Sequence, residues 1–185
     1  MQINSTSHPL LILKEIDNAC RSAIGNKNEP SKNNMWSGLN FQILGEELLI
    51  QNTYVNEILD ANIRQSLSTM PGAKPWLLGL ISLKGQPIPV IDLKQYLFNM
   101  PSKPMENSRL IVINNNDLVF GLLLEEVHGL KQFSVTPEIE VIDFSSFSEK
   151  NKIYIDKIFT DNGIIYGNFS IPKLVTDTEF ANAAR

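Results

Sequence analysis

Cysteine and histidine are almost missing from these 185 residues: Cys20 stands alone, and His8 and His128 are the only imidazoles. A single cysteine allows no intrachain disulfide and points to a reducing compartment. Cys20, His8 and His128 come from unrelated segments without ligand spacing, so no metal site is read from them. Cys20 falls on the apolar stripe of an expected helix, which fits a buried structural thiol. Positive charge is scarce too. Sixteen Lys and Arg face twenty Asp and Glu, for a net charge of −4. That balance speaks against nucleic acid as the main partner and against an anionic membrane surface. No apolar run approaches the roughly 20 residues a bilayer-spanning helix needs. The N-terminus has no basic n-region, so a cytoplasmic chain without direct membrane insertion is expected.

The catalytic inventory is equally thin. Gly79 and Gly85 form neither a dinucleotide fingerprint nor a phosphate loop. Glu46-Glu47 and Glu125-Glu126 are adjacent pairs, and neighbours on a strand point to opposite faces, so neither makes a carboxylate dyad. Asp92 reads as a helix cap or turn-holding carboxylate. No enzyme and no cofactor are expected. The apolar share, 43%, is ample for a buried core.

What is present is a leader followed by short strands. Residues 9–24, PLLILKEIDNACRSAI, carry Leu13, Ile16, Cys20 and Ile24 on one helical stripe behind Pro9. Residues 25–35 form a polar linker. From Trp36 onward LNFQIL and ELLIQN flank a turn at Gly45-Glu46, while YVNEILD has helical spacing in Val55, Ile58 and Leu59. The stretch WLLGLISLKGQPIPVIDLKQYL gives strands over about 79–84 and 87–93, then a short helix capped by Asp92. In it Ile81, Leu83, Ile91 and Leu93 are expected to face inward, and Pro87 and Pro89 mark a strand that is partly an edge or bulged. RLIVIN and LVFGLLLEEV flank Asn114–Asp117, HGLKQFS can add a strand, and KIYIDKIFT and GIIYGNFS flank Asp161-Asn162-Gly163, a strong hairpin signal. Residues 171–184 are expected to be a terminal helix. The pattern predicts a mainly β protein of two small packed barrels, with strand sets dividing near residues 99–108 and no evident internal repeat.

GLISLKGQPIPVIDL resembles the signature of the CheW-like domain family, in which a Gly-apolar-x-x-Leu-Arg-Gly strand and turn lead into an Ile-Pro-Val-Ile-Asp-Leu strand. The resemblance runs from about Trp36 to Phe169 and takes in LVFGLLLEEVHGL. It implies two five-stranded SH3-like barrels on a shared interior, residues 1–35 being a leader helix and linker and 36–185 the domain. The first lobe would be about 36–98 plus the chain end, the second about 109–170. It also implies a non-enzymatic adaptor that links a CheA-type histidine kinase, through its regulatory domain, to the cytoplasmic tips of methyl-accepting receptors. HPLLILKEIDNACR with its linker is similar to the start of adaptors from type IV pilus (twitching motility) pathways. Flagellar adaptors, which begin near their first strand, are the alternative; a small-barrel nucleic-acid binder, needing a basic stripe with exposed aromatics, is a remote one.

The resemblance also implies contacts. Val55, Glu57, Ile58 and Lys84 match kinase-facing positions, Lys84 standing where the pattern has arginine. A surface Glu57–Lys84 ion pair is the corresponding expectation, without the planar fork that arginine would bring. Leu77 and Leu78 match one wall of the receptor site, and Val127 and Leu130 the other. His128 beside them is read as an ordinary surface histidine.

Overall fold

The structure, a computed structural model, describes residues 35–103, 105–134 and 144–182, except for the side chains of 63–65. The expected leader helix and most of the linker, with Cys20 and His8, lie outside these residues. Among the described residues ten strands make two five-stranded sheets, as the mainly β reading requires. The first contains β1 (Met35–Ile43), β2 (Glu46–Gln51), β8 (Glu126–Ser134), β9 (Ile155–Asp161) and β10 (Ile164–Phe169), in the order β8-β1-β2-β10-β9. The second contains β3 (Val55–Asp60), β4 (Leu77–Leu83), β5 (Gln86–Asp92), β6 (Arg109–Asn115) and β7 (Leu118–Leu124), in the order β3-β6-β7-β5-β4. The described residues also hold four short α-helices: α1 (Leu93–Phe98), α2 (Glu149–Tyr154), α3 (Ile171–Thr176) and α4 (Thr178–Ala181).

The strands do not divide near residues 99–108, and the lobes of about 36–98 and 109–170 are corrected accordingly. The chain crosses between sheets after β2 and again at Glu125. The first sheet therefore joins the beginning and end of the domain, and the second takes its middle. The cause is parallel pairing. β10 lies parallel to β2 and β5 parallel to β7, and a parallel pair cannot be closed by a local hairpin.

Local chemistry sets the hairpins. Leu44-Gly45, Lys84-Gly85 and Asn162-Gly163 each adopt two successive positive φ angles, the turn whose twist matches antiparallel strands. The first of these sits one residue before the turn expected at Gly45-Glu46. Asp92 caps α1 by accepting from the Gln95 amide at 3.0 Å. YVNEILD is a strand, not a helix: β3 pairs with β6, and the outward positions are Asn56, Ile58 and Asp60. Tertiary pairing overrides its weak helical spacing. The first residues of KIYIDKIFT fold into α2, capped by Ser148, and the terminal helix breaks at Asp177 into α3 and α4.

Alternation along the strands builds three apolar clusters. Leu110 and Val112 of β6 point to one face, Ile111 and Ile113 to the other. The largest cluster draws on both sheets, with Leu39, Phe41, Leu48 and Ile50 meeting Ile91, Ile111, Phe120 and Leu122. Each smaller cluster belongs to one sheet and takes residues from all five of its strands. In the first sheet these are Trp36, Leu49, Phe133, Phe159 and Tyr166. In the second, Leu59, Ile81, Val90, Leu110 and Val119 represent β3, β4, β5, β6 and β7. Convergence of five strands on one interior is what a strongly curled sheet produces. The four expected inward residues divide between interiors, Ile81 and Leu83 facing the second sheet's own cluster and Ile91 and Leu93 the shared one.

β5 lies inside its sheet although it contains Pro87 and Pro89. The Asp92 amide donates to the Trp76 carbonyl on the β4 side, so Ile91, Pro89 and Pro87 turn their nitrogens toward β7. The parallel ladder with β7 covers only Val90 to Asp92, so no ladder bond is missing at either proline. The facing ladder is bulged at Leu78, between the pairs Leu77–Ile91 and Gly79–Val90. Gly79 is obligatory there: its φ is 139°, and a Cβ would stand 2.4 Å from the Ser68 carbonyl oxygen.

Candidate functional site

The residues singled out for contacts fall on edge strands. Val55, Glu57 and Ile58 lie on β3, one edge of the second sheet, and Lys84 in the turn leaving β4, the opposite edge. Val127 and Leu130 lie on β8, an edge of the first sheet. β3 and β8 hold equivalent places, since each flanks the hairpin strand (β6 or β1) at one end of its sheet.

Around β3, Lys84 Nζ donates to Glu57 Oε2 at 3.3 Å, the pair expected from sequence. The Lys84 side chain is 78% exposed, so the bond orients two surface groups and adds little stability. It bridges the two edges of the curled second sheet. Ile58 is exposed between this pair and the more open Arg109–Asp60 pair at 3.9 Å. Val55 does not join Ile58 on the surface. A bulge between Val55 and Glu57 turns its side chain against the shared cluster.

The two expected receptor walls differ in exposure. Leu130 is 63% exposed, the most open of the large apolar residues described. Val127 is half-buried against the shared cluster, and its amide donates to the Asn107 carbonyl at 3.1 Å. On β4, Leu77 is buried in that same cluster and offers no surface of its own. Leu78, the bulged residue, is half-exposed over the second sheet's interior. His128 is the extra residue of a bulge on β8, with Nε2 3.8 Å from Glu47 and 3.9 Å from Glu126.

Beneath these surfaces lie polar links that no local pattern announces. Both carboxylate oxygens of Glu125, at the crossing between sheets, are engaged: Lys94 Nζ donates to one at 2.7 Å and the Lys103 amide to the other at 2.5 Å. Asp92 is wholly buried and, besides capping α1, accepts from the Ser102 amide and hydroxyl, folding the loop after α1 back on itself. Tyr96 and Tyr154 hydroxyls stand 3.2 Å apart, and Tyr154 donates to Asp177 Oδ2 at 2.7 Å. Burial pushes the Tyr96 hydroxyl up to about 12 and raises that of Tyr154 as well. The bond from Tyr154 draws the Asp177 carboxyl below its ordinary value, so this chain holds two neutral phenols and one carboxylate at neutral pH. These partners are 10 to 58 residues apart in sequence, beyond the reach of periodicity or motif.

Among the described residues there is no cluster of three or more His, Cys, Asp or Glu able to hold a metal ion, and no helix long and apolar enough to cross a membrane. What the surface offers is an exposed leucine and isoleucine on equivalent edges, each near charged pairs. That chemistry suits protein contacts.

The fold has a counterpart in the scaffolding protein TtCheW from Thermoanaerobacter tengcongensis, which matches with a TM-score of 0.56 over 74% of this chain and 89% of that one, at 20% identity. In sequence, PilI of Pseudomonas aeruginosa is 29% identical over 128 residues, 69% of this chain and 70% of that protein. The chemotaxis protein CheW of Bacillus subtilis is 33% identical over 91 residues, 49% of this chain and 56% of that protein. The profile of the CheW-like domain matches residues 37–179, from the first strand to the last helix. The chain therefore belongs to the CheW-like domain family.

Proposed function

We propose that this protein is a chemosensory adaptor that performs no reaction itself and couples a CheA-type histidine kinase to the cytoplasmic tips of methyl-accepting receptors, in a type IV pilus pathway. The observation that supports this reading is that exposed apolar residues beside charged pairs, Ile58 and Leu130, stand on edge strands of two sheets that share one interior. Ile58 with the Glu57–Lys84 pair would meet the kinase regulatory domain. Leu78, Val127 and Leu130 would meet the receptor tip, with Leu77 anchoring β4 in the shared interior and Val55 supporting β3. Recruitment to membrane arrays would follow from receptor contact. Weak individual contacts suffice when many copies act together. The likeness to PilI supports the pilus assignment.

Co-purification tests the proposal: a cognate kinase regulatory domain and a receptor-tip fragment, offered separately and then together, should each be retained and should form a ternary complex. Retention of neither would refute the adaptor role. Glu57→Lys should weaken kinase capture and leave receptor capture unchanged. A second reading, flagellar chemotaxis, draws on the likeness to the Bacillus subtilis protein. A deletion strain distinguishes the two, since a pilus adaptor affects movement on surfaces and a flagellar one swimming in liquid.

A further inference from the structure

The chain end does more than follow β10. From α3 in the first sheet's tail it crosses to the second sheet, where Phe180 is buried against three rings from second-sheet elements. Trp76 lies parallel to it at 5.8 Å, Tyr96 meets it edge-on at 5.6 Å and Phe120 at 5.4 Å. α4 has only four residues and cannot hold its shape unaided. Its position comes from Phe180 and from Asp177, which caps α4 by accepting from the Glu179 amide at 2.8 Å and takes the Tyr154 hydroxyl on its other oxygen.

Trp76 is the first residue of the segment leading into β4. Its ring is buried, yet among the described residues its indole Nε1 has no hydrogen-bond partner. A buried donor without an acceptor gains free energy on reaching water. Ring contacts and the backbone bond from Asp92 to the Trp76 carbonyl therefore keep this side chain inside. Next to it the bulge at Leu78 and the positive φ of Gly79 interrupt the regular ladder, which the Ser68–Leu80 backbone bonds resume one residue on.

We propose that the last helix is a clasp, with Phe180 and Asp177 as positioning residues that hold the Trp76–Leu78 segment in place. Resting on the adaptor reading, this makes the clasp a determinant of the Leu78 receptor wall, with a smaller effect on the β3 surface, which β4 meets through Lys84 at its far end. Loss of Phe180 removes the parallel ring over Trp76, frees the indole to seek water and loosens the segment.

The test uses the full chain in a Trp36→Phe background, which leaves Trp76 as the only tryptophan. Phe180→Ala should red-shift Trp76 emission and speed amide exchange over residues 76–80 by about tenfold or more, with β1 and β2 unchanged, as expected for local opening. Tyr154→Phe should do the same to a smaller degree, and Phe180→Leu should restore most of the wild-type behaviour. Unchanged emission and exchange, or faster exchange spread evenly over the domain, would overturn the clasp. In binding, Phe180→Ala should weaken receptor-tip capture about tenfold, equivalent to 1.4 kcal/mol, and kinase capture less than twofold. Equal losses would count against a positioning role. If the unaltered protein captures no receptor tip, the adaptor reading fails, and the exchange pattern still decides the clasp.

Discussion

Strand for strand, β8-β1-β2-β10-β9 answers β3-β6-β7-β5-β4. Each sheet has a central hairpin (β1–β2 or β6–β7), a parallel neighbour (β10 or β5) and its hairpin mate (β9 or β4), and an edge strand on the far side (β8 or β3). Bulges recur at matching ladders, β8 on β1 and β3 on β6. The fillings differ. The first interior is aromatic, with Trp36 and Phe133 stacked on Phe159 at 4.4 and 4.7 Å and Tyr166 alongside. The second is wholly aliphatic, from Ile81, Ile88, Val90, Leu110 and Val112. Each sheet also has a lysine–carboxylate pair between its edges, with the charges exchanged. Lys131 of β8 reaches Asp161 of β9 at 3.2 Å and lies 4.6 Å over the Tyr166 ring. Glu57 of β3 instead receives the open Lys84. One strand plan thus accepts two packing chemistries, because curling a sheet needs apolar volume on its concave face and not particular side chains.

The sharpest way to break the comparison is to empty each interior. Phe133→Ala should cost roughly 3–5 kcal/mol and Leu110→Ala roughly 2–5 kcal/mol, read from urea denaturation. If the interiors are independent, the double variant should be additive within about 0.5 kcal/mol. A larger discrepancy would reveal coupling through the shared layer. Next in size is Gly79, beside the bulge at Leu78; the matching β9–β10 ladder of the first sheet is also bulged, at Asp156, but has no glycine next to the bulged residue. Gly79→Ala forces a side chain onto a positive φ and against the Ser68 carbonyl, and should cost about 2–3 kcal/mol.

Asp177→Asn should be milder, about 1 kcal/mol at neutral pH. Its carboxyl is lowered in the fold, so the stabilisation is present above the unfolded value of about 3.9 and disappears as pH falls through the lowered folded value. Thermal melts of variant and parent should converge in acid; a constant difference at every pH would contradict the assigned bond. The smallest effects belong to the edge pairs. Lys131→Met should cost up to about 1 kcal/mol, because the Tyr166 side chain and Asp161 both hold its ammonium, whereas Lys84→Met should be near zero. Lys131 titrates above the ordinary lysine value, chiefly through Tyr166. Its contribution is complete below an unfolded value of about 10.4 and fades as pH rises through the raised one.

Much of this was legible residue by residue. Lys84-Gly85 and Asn162-Gly163 announced their hairpins, Asp92 its helix, and GLISLKGQPIPVIDL the family. Leu130 and Ile58 proved exposed and the Glu57–Lys84 pair formed. Leu77 could not be separated from half-exposed Leu78, nor Val55 from exposed Ile58, by sequence, because a one-residue bulge beside each decides which way the side chain faces. β3 was misread for a related reason. Val55, Ile58 and Leu59 fit a helical stripe, and only the partner β6 makes the segment extended.

The amino-acid order alone determined turns, caps and the alternation of apolar residues, because these depend on φ preferences and side chains a few positions apart. It also determined the family. The tertiary structure decided which strands share a sheet, that β2 pairs with β10 and β5 with β7, that the chain end returns to Trp76, and that two sheets without a shared sequence pattern follow one plan. Such choices depend on closing long loops and on which face finds a complementary surface, and neither is written in any short stretch of residues.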